Sequence, residues 1–408
     1  NKGFQDSDYI EIFKDKLKNA VKRRLVADVP VGFYLSGGID SSAILSLASE
    51  ITTDLRAFNI SFEDAKNDES VYANELASKL GVKLSLIQVS SQDIADNFEE
   101  VIYHREAPVF QTNGVAKFLL SKHASKSGYK VVLTGEGADE LLAGYPPFKE
   151  DLFHSLNAEQ KRMLGEEIDR QSAEFMFDEN FITPQMRAVQ KKLKYMPAIW
   201  KLSFHIAEKI QGIYSDEFGD FSRSYDPVQS FLESSSVLEK TKDHPVNLSL
   251  YIFAKTFFPE LVLSYLGDRV EMAHSIEGRL PFLDIELVTF CNQLPIGLKI
   301  RNLKEKYILY ESVKDYIPNT IYARNKQAIT TPLMGDQLKT GKKSPMYVVM
   351  NDIFHSRGFK ELQFFDQDKT IHLLNSIEAM SSLDKMSAEY ALNFALSTYF
   401  LSKRFMNG

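Results

Sequence analysis

The sequence predicts an α/β fold, in which a parallel sheet covered by helices precedes a mostly helical part. Over the first 150 residues, short apolar runs alternate with segments of helical periodicity, and two of these runs end in glycine-containing polar loops. Strands that alternate with helices form parallel sheets with both faces covered. From about residue 151 to 408 the strand-like runs fade and helical patterns dominate. We therefore expect two parts, 1–150 and 151–408.

The individual elements follow from local patterns. Apolar side chains recur at helical spacing after Asp8, which is placed to cap an opening helix. Apolar runs predict strands, in chain order, at Val31–Leu35, Arg56–Phe62, Lys83–Val89 and Lys130–Leu133. Helices are predicted over Ala43–Glu50, Glu69–Leu80 and Asn113–Lys126. Gly81 is placed to end the second of these helices.

Composition excludes several classes of protein. The net charge is −7. The chain therefore lacks the surplus of basic residues that would indicate binding to nucleic acid or to an acidic membrane surface. The apolar stretch Tyr251–Leu266 is too short and too interrupted to span a bilayer. A single cysteine, Cys291, excludes a disulfide framework, fits a reducing, cytoplasmic compartment, and is expected to be buried in its apolar context.

The first polar loop, residues 36–42, lies between a predicted strand and a predicted helix. Adjacent glycines let the backbone approach a ligand closely, and successive N–H groups ahead of a helix attract an anion. The acid within the loop is explained if Mg²⁺ lies between its carboxylate and the phosphates of a nucleotide. The alternative is a glycine-rich turn without a ligand. The candidate pyrophosphate ligands are Ser36, Gly37, Gly38, Asp40, Ser41 and Ser42.

The second polar loop, Gly135-Glu136-Gly137-Ala138-Asp139-Glu140, holds three acids after a predicted buried strand. Crowded carboxylates repel each other unless they share a cation or a proton. Asp139 is therefore a candidate to complete the Mg²⁺ site with Asp40, and Glu136 to act as a general base or to orient the substrate. The alternative is an ordinary helix start, where the helix dipole favours acids.

These loops resemble those of a known family. The first matches the pyrophosphate loop of the N-type ATP pyrophosphatases, and the second, continued to Gly144-Tyr145, is similar to the corresponding loop of the asparagine synthetases. Three further stretches agree with that family in order along the chain: Asp64–Ala73, Asp268–Asp284 and Lys306–Gln327. The resemblance implies an adenine nucleotide α-hydrolase-like fold, with β-lactam synthetases among the relatives.

The resemblance also implies an activity and roles for residues. Such a chain would use ATP and Mg²⁺ to activate a carboxylate as its acyl-adenylate, and an amine would then form the amide with release of AMP. Leu35, Ile60 and Gly135 would line the adenine and ribose. Lys326 would lie near the α-phosphate, and Glu136 would help to deprotonate the attacking amine. The Asp268–Asp284 stretch would be mainly architectural, with Arg279 and Asp284 as a buried ion pair.

The sequence departs from the family in two respects. The N-terminal glutaminase domain of the glutamine-dependent enzymes is absent from these 408 residues, so we expect no glutamine hydrolysis by them. The segment Glu106–Asn113, expected near the carboxylate substrate, and Ala328-Ile329 after Lys326-Gln327 differ from the usual pattern. Tyr103 lies roughly where the cyclising β-lactam enzymes place a tyrosine, but it is equally typical of a core aromatic.

The sequence therefore predicts an AMP-forming amide ligase that joins a small-molecule carboxylate to ammonia or an amine. Aspartate is the leading candidate for the carboxylate. Close alternatives are a specialised amidotransferase or cyclase acting on another carboxylate. A glutaminase domain or subunit and a second copy of the chain are compatible partners. The rivals from other classes are a non-catalytic ATP-binding relative and a tRNA thiolase, and the acidic charge disfavours the latter.

Overall fold

A computed structural model describes residues 4–63, 69–161, 181–234, 244–324 and 343–406, with the single residues 236, 239 and 334. The chain divides into two compact units that alternate along the sequence. The sheet unit comprises residues 1–89, 116–149 and 253–329, and the helical unit comprises residues 90–115, 150–252 and 330–408. The expected division at residue 150 stays a prediction about how the chain is organised.

The sheet is parallel throughout, as predicted. Its strands are β1 (Val31–Tyr34), β2 (Arg56–Phe62), β3 (Lys83–Val89), β4 (Val131–Leu133) and β5 (Glu277–Arg279). They lie in the order β3-β2-β1-β4-β5, and every neighbouring pair is parallel. The chain therefore builds outward from β1 on one side and then returns to build outward from β4 on the other. The place where the direction reverses, between β1 and β4, is where such sheets bind ligands.

The helices up to residue 155 are α1 (Asp6–Arg24), α2 (Ile39–Ser49), α3 (Ser70–Leu80), α4 (Ser91–Arg105), α5 (Asn113–Lys126), α6 (Ala138–Leu142) and α7 (Pro146–Ser155). After residue 180 come α8 (Pro184–Leu193), α9 (Ala198–Gly212), α10 (Asp216–Arg223), α11 (Pro227–Ser234), α12 (Pro245–Lys255), a π-helical segment Phe258–Asp268, and α13 (Arg269–Met272). The remainder are α14 (Ile285–Cys291), α15 (Ile296–Lys299), α16 (Tyr307–Val313), α17 (Asn319–Ala323), α18 (Pro345–Phe354), α19 (Arg357–Lys360), α20 (Gln367–Ser376) and α21 (Ser382–Phe405).

The core of the sheet unit is formed where α1, α2 and α16 pack together beside the sheet. Helix α2 is buried on almost every side, which explains why its residues other than Asp40 are apolar or small and the helix is not amphipathic. Phe13 and Leu17 of α1 and Leu309 of α16 are fully buried in this cluster. This packing holds the start of α2, and with it the first polar loop, at the carboxyl end of β1.

Several predicted elements differ in detail from the structure. Helix α1 begins at Asp6, so Asp8 is not its N-cap; the Asp8 carboxylate instead accepts a hydrogen bond from the backbone N–H of Gln5 at 2.8 Å. Helix α2 begins at Ile39, so residues 39–42 of the first polar loop are already helical. Helix α4 and strand β5 were not predicted, the latter because it is only three residues long.

The expected ion pair between Arg279 and Asp284 is wrong. Asp284 caps α14 and binds the guanidinium of Arg23 at 2.7 and 2.9 Å. Arg279 contacts Glu277 and donates to backbone carbonyls at the end of α1. The prediction failed because it paired residues close in sequence, whereas Arg23 lies 261 residues from Asp284.

Two other expectations concern burial and membranes. Cys291 is fully buried, as predicted, and burial raises the pKa of its thiol to about 12. Within the described residues, no single helix is long and apolar enough to cross a membrane. The pair Pro245–Lys255 and Phe258–Met272 reaches that length and composition only as two segments bent by 54°.

Candidate active site

The two polar loops meet between β1 and β4. Residues 35–38 connect β1 to α2, and residues 134–137 connect β4 to α6. A Cβ atom added at Gly135 would lie 2.9 Å from Cβ of Asp40 and 3.0 Å from the amide nitrogen of Ser41. Only glycine at position 135 therefore lets the second loop come this close to the first loop. As a result, the polar groups of the two loops lie next to each other.

The first loop is organised by its serines. The Ser36 N–H donates to Oγ of Ser41 at 3.1 Å, and the Gly38 N–H donates to Oγ of Ser36 at 3.2 Å. Gly37 has φ of +81°, a conformation that favours glycine. Ser42 differs from the other two serines, because it is fully buried and its hydroxyl has no hydrogen-bond partner within the described structure. Ser36 and Ser41 are thus better placed to meet a phosphate.

Asp40 and Asp139, the predicted Mg²⁺ ligands, converge on a lysine. Nζ of Lys306 lies 2.7 and 2.6 Å from the two carboxylate oxygens of Asp40 and 2.7 Å from Oδ1 of Asp139. The Lys306 side chain is only 1% exposed. Burial disfavours its charged form, but the carboxylates of Asp139 and Asp40 outweigh this effect and raise the pKa of Lys306.

The backbone around Lys306 is constrained to hold this arrangement. Lys306 precedes α16 with φ of +51°, in the left-handed region that side chains other than glycine rarely adopt. A methyl group added at Gly144 would overlap both Asp139 and Lys306. The absence of a side chain at Gly144 therefore leaves the space in which the aspartate and the lysine meet.

The donor set suits a magnesium ion brought by a nucleotide. Two carboxylates already direct their oxygens at one cation, and carboxylate oxygen is what Mg²⁺ prefers. In the described parts of the chain, no group of three or more histidine, cysteine or acidic side chains forms a self-sufficient metal site. Asp40 and Asp139 would thus hold the ion together with phosphate and water oxygens, and the assignment stays a prediction.

Glu136 is held by partners that the sequence did not reveal. One carboxylate oxygen contacts Nζ of Lys117 on α5, and the other accepts the hydroxyl of Thr134. Nζ of Lys117 also lies 3.1 Å from Oε1 of Glu271 on α13. Burial by itself would raise the pKa of Glu136, but Lys117 and Thr134 overcome it and lower that pKa. Burial raises the pKa of Glu271, and the attraction of Lys117 offsets this only in part.

The residues predicted to line adenine and ribose lie around the same strand ends. The Leu35 side chain is 1% exposed and belongs to the core, and its carbonyl oxygen accepts a hydrogen bond from the Asn59 amide at 2.5 Å. Ile60, near the end of β2, is half-buried. The nucleotide contacts of Leu35, Ile60 and Gly135 stay predictions.

A family model described as Asparagine synthase matches residues 13–398, nearly the whole chain. The chain belongs to the asparagine synthase family. Among its relatives within that family, the amidase chyE of Penicillium rubens is 30% identical over 443 residues, covering 98% of this chain and 62% of chyE.

Two further relatives show the breadth of the family. The amidase chry2 of Gibberella zeae is 29% identical, covering 90% of this chain and 58% of chry2. Asparagine synthetase [glutamine-hydrolyzing] 1 of Bacillus subtilis is 27% identical, covering 81% of this chain and 50% of the synthetase. The chain thus spans between half and about three fifths of the length of these relatives.

The residues predicted for the acceptor pocket belong to the helical unit. Tyr103 on α4 is 37% exposed, and its ring stacks on Phe405 with centroids 5.7 Å apart. Glu106 is exposed and ends α4 with φ of +57°. Asn113, at the start of α5, donates to Gln111 at 3.4 Å. Their role in substrate recognition stays a prediction, as does the pairing of Tyr103 with Glu136.

Lys326 lies outside the described residues, as do Asp64–Asp68 and Ala328-Ile329. The last described residue before this segment is Arg324, which binds the first loop. Its guanidinium contacts the Glu69 carboxylate, donates to the carbonyl of Gly37 at 3.4 Å and lies 4.3 Å from the centre of the Tyr72 ring. Arg324 therefore connects the segment before Lys326 to the first loop.

Three charged residues of the candidate site were not predicted from the sequence to be functional. Lys306 and Glu271 lie inside motifs that carried the family resemblance, but their roles there were not assigned. Lys117 stands within a largely apolar stretch of a predicted helix, and this was the one local signal. A lysine in such a position needs an anionic partner when it is buried, and that partner is not visible in the sequence.

Proposed function

We propose that this chain is the synthetase part of an ATP-dependent, AMP-forming amide ligase. A carboxylate oxygen of the acceptor would attack the α-phosphorus of ATP, and the bond from that phosphorus to pyrophosphate would break. The nitrogen of ammonia or an amine would then attack the acyl carbon. The nitrogen would lose a proton, and the bond between the acyl carbon and AMP would break to leave the amide.

One observation carries this proposal. At the point where the strand order of a parallel sheet reverses, Lys306 binds both Asp40 and Asp139, beside a loop of small residues that leads into a helix. A buried cation and two carboxylates at a phosphate-type loop support binding of a nucleotide with its magnesium ion. Family membership supports amidation as the reaction that the nucleotide drives.

The chain's own residues have distinct tasks in this proposal. The loop from Ser36 to Ser41 would hold the pyrophosphate, and Lys306 would lie beside it with a positive charge that cannot be lost at neutral pH. Asp40 and Asp139 would hold Mg²⁺, which would neutralise charge on the phosphates. Glu136, kept ionised by Lys117, would accept the proton from the attacking nitrogen.

Aspartate is the first carboxylate to test, because asparagine synthetases are among the relatives. A different carboxylate is the second candidate. Two relatives that match at least 90% of this chain are named amidases rather than asparagine synthetases. The departures within Glu106–Asn113 also favour a specialised acceptor.

The test is pyrophosphate release by the 408-residue chain from ATP and Mg²⁺, with and without a carboxylate and ammonium. A panel of amino acids, aromatic acids and short peptides with free carboxylates is compared with aspartate. We expect release that depends on one carboxylate, AMP as the nucleotide product, and an amide by mass spectrometry. Asp139→Asn should abolish the release while leaving the fold intact.

The nucleotide product separates this proposal from its rivals. ADP and phosphate in place of AMP and pyrophosphate would contradict adenylation. ATP binding without carboxylate-dependent release across the panel would favour a non-catalytic relative. AMP and an amide formed with an acid other than aspartate would support the second candidate.

A further inference from the structure

Lys117 is placed unusually for a lysine. It lies on α5 with its side chain only 14% exposed, and its ammonium contacts Glu136 and lies 3.1 Å from Oε1 of Glu271. These two acids are themselves only 24% and 4% exposed. Two carboxylates and one ammonium are thus enclosed together, and they carry one net negative charge when all three are ionised.

A tyrosine ring and a further acid act on this cluster. Nζ of Lys117 lies 5.4 Å from the centre of the Tyr34 ring on β1, and the Tyr34 hydroxyl donates to Ser121 at 2.9 Å. Asp268, at the end of the π-helical segment, also acts on Glu271 and disfavours its ionised form. In the described part of the chain, the charged and titratable groups that act most strongly on Lys117 are Glu136, Glu271 and Tyr34, and Asp268 acts in turn on Glu271.

Glu271 is held in place by the sheet. A methyl group added at Gly278 of β5 would overlap the Glu271 carboxylate, so only glycine at this position leaves room for it. The N–H of Ile276 donates to the backbone carbonyl of Glu271 at 3.1 Å and closes the turn into β5. The backbone of Glu271 is therefore held next to β5 by this hydrogen bond, and the missing side chain at Gly278 leaves space for the Glu271 carboxylate.

From this geometry we propose that Lys117 is a positioning residue that keeps Glu136 and Glu271 both ionised, so that the cluster can take up the proton released in amide formation. This rests on the proposed function, since it assigns the proton to Glu136. The nitrogen–hydrogen bond breaks, a bond from the proton to a Glu136 oxygen forms, and the net charge of the cluster goes from −1 to zero. Uptake is favoured because it removes a buried net charge.

Two substitutions should act in opposite directions. Lys117→Met leaves two buried carboxylates without their cation, and such a pair shares a proton at neutral pH, so that the base is already occupied. Glu271→Gln leaves Glu136 with Lys117 alone, and a neutral ion pair accepts a proton less readily. Lys117→Arg keeps the charge and is the matched control.

Infrared spectroscopy tests the protonation state without any substrate. Spectra of the full chain are compared at pH 8, above the pKa of about 7 that burial sets for Asp151. We expect one additional protonated-carboxyl band in Lys117→Met that is absent from the wild type, from Lys117→Arg and from Lys117→Met/Glu271→Gln. A band in the wild type that disappears in Glu271→Gln would overturn the proposal, because the cluster would already be neutral at rest.

The pH dependence of amide formation tests the role in the reaction. Relative to the wild type, the acidic limb should move up by about 1 to 3 pH units in Lys117→Met and down in Glu271→Gln, with the double variant in between. Equal losses at every pH in both variants would show a structural role and contradict the proposal. If Lys117→Met does not fold, the nearly isosteric Glu271→Gln decides alone.

The two proposals fail in different ways. If the wild type forms no amide with any carboxylate, the proposed function fails, and the infrared comparison still decides whether Lys117 keeps both acids ionised. If the wild type forms the amide but the acidic limb is unmoved in Glu271→Gln, only the role of the cluster fails.

Discussion

The Lys306 side chain joins two carboxylates that the sequence assigned to a metal. Because only 1% of the side chain is exposed, the positive charge of Lys306 is compensated by the carboxylates of Asp40 and Asp139 rather than by water. The lysine in turn reduces the repulsion between the two carboxylates. Removing one member of such a group leaves an uncompensated buried charge, which is strongly unfavourable. Lys306 is thus as central to the candidate site as the two aspartates.

Lys306→Met should therefore abolish activity while Asp40 and Asp139 remain present. We expect pyrophosphate release to fall by about 100-fold or more, the scale for loss of one preorganised electrostatic contact. Lys201→Met, which removes an ion pair with Glu150 in the helical unit, is the control and should retain release. Release within a few-fold of the wild type in Lys306→Met would contradict the assignment.

The ionised form of Asp151 is disfavoured in the folded chain. Asp151 is fully buried in the helical unit, where Oδ1 accepts the N–H of Ala198 at 3.0 Å. Burial raises the pKa of Asp151 from an ordinary 3.8 to about 7. Between these values the folded chain keeps a proton that the unfolded chain has lost, so stability falls as pH rises from about 4 to about 7.

Asp151→Asn should remove this pH dependence, because the amide carries no charge and its oxygen can still accept from Ala198. The variant should be more stable than the wild type at pH 8 and nearly equal to it at pH 4, as measured by thermal unfolding. Asp384→Asn should instead be less stable than the wild type at pH 8, and this difference should shrink only below about pH 4, because a hydrogen bond from Lys209 lowers the pKa of Asp384. A difference between Asp151→Asn and the wild type that is constant with pH would contradict the prediction.

At the scale of elements, the junctions between strands and helices determine the site. The loop after β1 and the loop after β4 can touch because small residues occupy their contact. The start of α3 packs beneath the first loop: a Cβ atom at Gly37 would lie 2.9 Å from the carbonyl oxygen of Glu69. Arg324 then binds Glu69 and the Gly37 carbonyl from the segment after α17.

Two glycines with positive φ make a matched test of this junction. Gly37 has φ of +81° in the loop, and Gly81 has φ of +66° at the end of α3 with open space around it. Replacing either with alanine should cost about 1–2 kcal/mol of unfolding free energy through backbone strain, and Gly37→Ala should cost more than Gly81→Ala because its methyl group would also crowd the Glu69 carbonyl oxygen. Only Gly37→Ala should also raise the KM for ATP. Equal KM values in the two variants would show that the loop does not contact the nucleotide.

At the scale of the whole molecule, the chain alternates between two units and contains one cysteine. Cys291 is fully buried, and burial raises the pKa of its thiol to about 12, so it is protonated and inaccessible at neutral pH. A thiol must be ionised and exposed to act as a nucleophile. These 408 residues therefore offer no cysteine able to release ammonia from glutamine.

Ammonium should therefore support amide formation by the chain, and glutamine should not. The measurement is amide product with each nitrogen source at equal concentration, with glutamate release followed in the same reactions. Cys291→Ala should leave the response to ammonium largely intact, apart from a loss of stability due to the cavity. Glutamate released by the purified chain would contradict the prediction.

Much of the sheet unit could be predicted from local sequence. The apolar runs of β1 to β4 and the left-handed end of α3 at Gly81 were predicted correctly because they depend on neighbouring residues. The two polar loops were located for the same reason. Strand β5 was not predicted because three residues are too few to show a pattern. Helix α4 was not predicted either, although its amphipathic pattern and its N-cap, Ser90, are visible in the sequence.

The sequence by itself determined the fold class, the two loops and the family to which the chain belongs. The tertiary structure decided which charges meet: Lys306 with Asp40, Lys117 with Glu136 and Glu271, and Arg23 with Asp284. Lys306 and Asp40 are 266 residues apart. Periodicity reports which face of an element is buried, but a pair of charges is chosen by how elements distant in sequence pack together, and only the folded chain shows that.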